Sequence, residues 1–96
     1  MTDLNQNTGV VHNLAAQQFE VRVGESLCVV QYRIAGGKMI IYHTEVPPPL
    51  ERRGLAARMT RAALEFARLE RLSVEPRCPY TAAFFRKHSE YASLLR

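Results

Sequence analysis

Tryptophan is absent from the 96-residue chain, cysteine occurs only twice, and long apolar runs are missing. Two cysteines, Cys28 and Cys78, are too few for a disulfide framework, and no Cys or His pair stands at zinc-ligand spacing. Apolar runs such as Met39–Tyr42 fall far short of the roughly 20 residues that span a bilayer. The first nineteen residues hold Asp3 and no basic residue, which matches neither a signal nor a transit peptide. Repeats and low-complexity tracts are also missing. A cytosolic protein with free thiols and no metal site is the expectation.

What is present is ordinary in amount and uneven in place. At 47% hydrophobic and 23% charged, the composition is that of a globular chain. The length suits one domain. Residues 1–48 carry a net charge of −1 and residues 49–96 a net charge of +5. Arg52, Arg53, Arg58 and Arg61 fall within ten residues with no acid among them. Such a concentration draws anions, from small phosphates to nucleic acid, although a solvated helix face reads the same way. No nucleic-acid motif or basic face interleaved with aromatics accompanies it.

Residues 1–15, rich in Asn, Gln and Thr, show no period and read as a flexible lead-in to a single domain over 16–96. Phe19–Val23 alternates apolar with charged residues, Leu27–Ile34 is β-branched and aromatic, and Lys38–Val46 follows a Gly36-Gly37 turn. These predict a three-stranded antiparallel meander. Pro47, Pro48 and Pro49 end it, because proline donates nothing to a ladder. Leu55, Met59, Ala62, Phe66 and Leu69 then step by 4, 3, 4 and 3, a helical stripe running from about Arg53 or Gly54 to Arg71. Leu72–Glu75 is a short strand returning by a β-α-β crossover. Pro79 opens a second helix to Lys87, and Ser89 caps a last turn. The fold class is therefore α/β (α+β), with a short, mostly antiparallel sheet of about four strands, one long helix and a helical C-terminus.

The informative stretch runs from Glu45 to Ala57. The first amides of a helix lack intrahelical acceptors and sit at the positive end of its dipole. Gly54, Ala56 and Ala57 leave that backbone bare, and Arg52 and Arg53 add charged donors, so the helix start is a candidate phosphate site. Glu51-Arg52-Arg53-Gly54-Leu55-Ala56 resembles the acetyl-CoA-binding motif of the GNAT superfamily of N-acetyltransferases, Gln/Arg-x-x-Gly-x-Gly/Ala, matching at Gly54 and Ala56 and departing at Glu51. The resemblance extends to a small, single-domain branch of that superfamily. His43–Pro48, Arg53–Ala56, Ala63–Ala67, Cys78–Tyr80 and Arg86–Tyr91 carry it in order, over roughly residues 17–95.

That resemblance implies a minimal GNAT-like fold that uses acetyl-CoA as cosubstrate and transfers acetyl to the amine of a small molecule or peptide. The pyrophosphate would rest on Arg52, Arg53, Gly54, Leu55, Ala56 and Ala57, and the pantetheine arm would run along Val46. The alternative is a CoA-holding or protein-interaction module without turnover. Transfer needs a neutral amine, a stabilised oxyanion and a protonated leaving thiolate. His43 and Glu45, two apart on a strand, share a face and form a candidate base pair. Cys78, ahead of Pro79 at a helix start and beside Arg77, is a candidate acid or nucleophile, and Tyr80 a second proton donor. Cys28, inside an apolar strand, reads as packing. The acceptor and the oligomeric state are left open.

Overall fold

The computed structural model describes residues 9–95. Five strands, β1 (Val10–Asn13), β2 (Gln18–Val23), β3 (Ser26–Ala35), β4 (Lys38–Glu45) and β5 (Ser73–Pro76), form one sheet in the order β1-β2-β3-β4-β5. Neighbours from β1 to β4 are antiparallel, and β4 with β5 is parallel. Between those two runs α1 (Leu55–Leu69), preceded by a 3-10 turn at Pro48–Leu50. Helix α2 (Pro79–Lys87) and a 3-10 segment (Ser89–Leu94) complete the chain. This is a mixed α/β fold with a mostly antiparallel sheet, as expected. It has a strand more than the sequence reading, because part of the lead-in is ordered as β1; residues 1–8 lie outside the described residues.

Why Val10–Asn13 joins the sheet is visible in its side chains. His12 stands opposite Phe19, its ring stacked on that phenyl at 3.9 Å between centroids. Its Nε2 lies 2.6 Å from the Tyr32 hydroxyl, and Phe66 of α1 meets it edge-on at 4.5 Å. One polar residue without periodic neighbours thus ties β1 to β2, β3 and the helix.

The core lies between the sheet and α1. Phe19, Val21, Cys28, Val30, Tyr32, Met39, Ile41 and Val74 meet Leu55, Met59, Ala63, Leu64 and Ala67. Small residues at Ala63 and Ala67 let the helix approach the sheet closely. The buried face is rotated from the predicted stripe: Thr60, Leu64 and Ala67 are buried, whereas Leu69 is 79% exposed. Ala67 in the last turn is fully buried, and Leu69, two residues on, lies on the opposite side of the helix and faces out. No helix among the described residues is long and apolar enough to cross a membrane.

An irregularity in β4 decides how the site is arranged. Gln31 pairs with His43 and Tyr32 with Ile41, so Tyr42 is an extra, bulged residue. Beyond the bulge Thr44 faces inward with Val30, while His43 and Glu45 face outward with Gln31 and Val29. The outward face carries a polar network in which Asn13 and Gln18 donate to Glu20, and Gln31 donates to Gln18.

Burial of His12 holds its pKa below the ordinary 6.5. The neutral ring therefore favours the folded state, fully so above pH 6.5, and that contribution is lost as pH falls and the unfolded chain takes up a proton first. In His12→Gln, the loss of urea stability between pH 8 and pH 5 should be visibly smaller than in the parent; equal losses would remove His12 from the account.

Candidate functional site

The site begins where β4 and β5 part. The two strands pair only from Lys38 with Ser73 to Ile41 with Pro76. Pro76 offers no N–H, and the Ile41 carbonyl accepts both the Arg77 amide (2.9 Å) and the Cys78 amide (3.0 Å). That forked acceptor turns the chain away from β4. From Tyr42 to Glu45, β4 has β3 on one side and no β5 partner on the other.

Into this opening points the start of α1. The three prolines produce a 3-10 turn in which Leu50 and Glu51 donate to Pro47 and Pro48 carbonyls. Arg52 (φ 69°) and Gly54 (φ 78°) then take left-handed backbone on either side of Arg53, an alternation of hand from which anion-binding nests are built. No side chain caps α1, and its first internal bond runs from the Arg58 amide to the Gly54 carbonyl at 3.0 Å. The amides of Leu55, Ala56 and Ala57 precede that bond. A Cβ built on Gly54 would meet nothing within 4 Å, so the approach to these amides is open. Arg52 and Arg53 are exposed and form no ion pair among the described residues.

A cavity of about 430 Å³ continues from these amides. Val46, Arg52, Gly54, Leu55, Ala56, Ala57 and Tyr80 line it together with Thr44, Leu50 and Glu51. It thus unites most of the residues proposed from sequence. A larger hollow, about 670 Å³, lies at the other end of α1 beside Arg68 and Arg71.

The remaining candidates lie elsewhere. Arg53 is exposed and is not among the lining residues. His43 and Glu45 do pair, Nε2 to Oε1 at 3.1 Å, but on the outward sheet face. Cys78 is buried behind Thr44, its thiol donating to Thr44 Oγ1 at 3.4 Å. The structure therefore brings Tyr80 and, one residue behind the wall, Cys78 to the cavity, and sets the His43–Glu45 pair on the opposite face. Cys28 is fully buried in the core, and burial pushes its thiol pKa up. For Cys78 burial also pushes up, but the groups around the sulfur that can donate to its ionised form, the Thr44 hydroxyl, the Thr81 and Tyr80 amides and the Thr81 hydroxyl, outweigh it and bring the thiol below its usual value. The Tyr80 hydroxyl is raised by burial, against Arg61, and by the nearby Cys78. It stays protonated at neutral pH. Thr44 and Thr81 were missed in the sequence; Thr81, three residues past Cys78, was legible as the N3 position of a helix.

Residues 18–94 match the family described as GCN5-related N-acetyl-transferase. The chain belongs to this family. Protein NATD1 of Bos taurus is 32% identical over 82 residues, covering 82% of this chain and 73% of that one. Protein NATD1 of Danio rerio is 30% identical over 94 residues, covering 93% and 86%, and the Xenopus tropicalis protein 29% over 89 residues, covering 90% and 82%. In this GCN5-related chain the matched span holds the parted strands, the bare helix start and Cys78; β1 precedes it.

Left-handed backbone at Gly54, with space around it, separates two effects. Gly54→Ala should cost about 1–2 kcal/mol in urea unfolding from backbone strain alone, and Gly54→Asn less. Equal costs would show that contacts rather than φ govern the position.

Proposed function

We propose that the protein binds acetyl-CoA and transfers its acetyl group to an amine of a small molecule or peptide. The observation that carries this is the uncapped, glycine-led start of α1 opening onto the cavity between β4 and Tyr80. The donor set suits a pyrophosphate: amides of Leu55, Ala56 and Ala57 at the positive end of a 15-residue helix, with the Arg52 and Arg53 guanidinium groups beside them. The unpaired edge of β4 from Tyr42 to Glu45, running on to Val46, suits a pantetheine arm, whose two amides can pair as an added strand would. When bound, acetyl-CoA would supply an activated acyl thioester. Tyr80 would hold a proton at its hydroxyl for the leaving sulfur, and the positive helix end would favour the anionic cosubstrate. Cys78 would act from behind Thr44, as acid or nucleophile, only if the Thr44 side chain yields. His43 and Glu45 would meet an amine approaching from the outward sheet face. Free thiols at Cys28 and Cys78 fit a reducing compartment such as the cytosol.

Titration with CoA, followed by amide NMR shifts, should move Arg53, Gly54, Leu55 and Ala56 most. Still amides at saturating CoA would end the reading. Release of free thiol from acetyl-CoA in the presence of amines separates transfer from mere holding: binding without release would make the chain a CoA-holding module.

Arg52 offers a test that parts charge from folding. Its left-handed φ strains a residue with a Cβ, so Arg52→Gly should raise stability by about 1 kcal/mol. The same change should weaken CoA severalfold at low salt and less at high salt. Unchanged affinity at low salt would place the pyrophosphate elsewhere.

A further inference from the structure

Thr81 shares with Thr60 of α1 a state rare for a hydroxyl. It is completely buried at the third position of α2, and its hydroxyl oxygen has no hydrogen-bond partner among the described residues. Buried hydroxyls are almost always paired, since burial without a partner forfeits their hydration. Cys78 is the N-cap of the same helix and is extended (φ −78°, ψ 131°), the conformation that brings an N-cap side chain over the first amides. As a neutral thiol it donates to Thr44 Oγ1 across the gap to β4 and makes no capping bond to α2. The amides of Tyr80 and Thr81 and the Thr81 hydroxyl are all donors, and what they lack is a negative charge to receive them.

We propose that Thr81 is a positioning residue for the sulfur of Cys78: its hydroxyl is kept without a partner in the neutral protein so that it and Thr44 can donate together to the thiolate. Ionisation removes the S–H that Thr44 now accepts, and the Thr44 hydroxyl turns to donate instead. The sulfur then takes hydrogen bonds from two elements, β4 and α2, and is fixed behind the cavity wall with its lone pairs toward Thr44. The lowered thiol pKa has the same direction. The charged and titratable surroundings do not supply the effect by themselves. Tyr80 on α2 is neutral, Arg61 of α1 acts on Tyr80, and Arg77 is hydrogen-bonded to Glu75. Cys28, buried as deeply in the same core, has no such donors and its thiol is raised.

The inference rests on the transferase reading for its use but not for its chemistry, so its test needs no cofactor. Thiolate absorbance near 240 nm is titrated in a Cys28→Ala background, with Cys78→Ala subtracted. Thr81→Val should move the titration to higher pH, so that thiolate on the rising limb falls about tenfold, the scale of one hydrogen bond to a charged group. Thr81→Ser should restore it, and Thr44→Val should move it in the same direction as Thr81→Val. Should Thr81→Val fail to fold, Thr81→Ala takes its place. A titration unchanged in Thr81→Val or Thr81→Ala, or a serine variant that behaves as valine does, overturns the proposal. A shifted titration in a protein whose helix amides ignore CoA would leave the thiolate device standing and remove the transferase.

Discussion

The carbonyl of Ile41 is the fork on which the site depends. By accepting two successive amides, from Arg77 and Cys78, it ends the parallel pairing of β4 and β5 after four residues. Prolines on both sides of the fork reinforce the ending. Pro76 closes β5 without a donor, and Pro79 starts α2 at a position where no donor is needed. The wedge thus opened is walled by β4 and by the start of α2. Helix α1 enters it uncapped because the Pro47–Pro49 stop and two left-handed residues leave no side chain to cap it. The cavity is therefore a product of backbone hydrogen bonding more than of side-chain shape.

Much of this was legible before any coordinates. The meander, the proline stop, the long helix, the returning strand and the second helix all follow from alternation, turn residues and a clear 3.6-residue period, and each lies within a few residues of its predicted place. The helix-start motif was legible for a chemical reason: small residues and arginines at a terminus are readable without tertiary contacts. β1 was not, because its four residues carry no period and are held by His12 contacts with residues far along the chain. The buried face of α1 was misplaced for a related reason. Thr60 and Leu64 are buried, and Leu69 exposed, by which side of α1 packs on the sheet, and hydrophobicity alone does not fix that side.

Candidate chemistry was harder to read than candidate binding. The candidate binding residues are consecutive in one segment, so spacing finds them. Proton transfer and thiol chemistry need residues from β4 and α2 to meet, and side-chain direction then matters more than residue type. Residue type makes His43, Glu45, Cys78 and Tyr80 candidates for one transfer, whereas the structure sorts them onto two faces and behind one wall. Thr44 and Thr81, chemically unremarkable in the sequence, occupy the positions between.

The bulge at Tyr42 gives this sorting a simple origin. With strict alternation onward from Ile41, His43 and Glu45 would have turned toward α2, and Thr44 away from it. A single surplus residue inverts that parity, and with it decides whether Cys78 keeps company with a hydroxyl or with an imidazole and a carboxylate. The company the thiol keeps is thus governed by an odd or even count along one strand, a quantity that insertion or deletion changes more readily than substitution does.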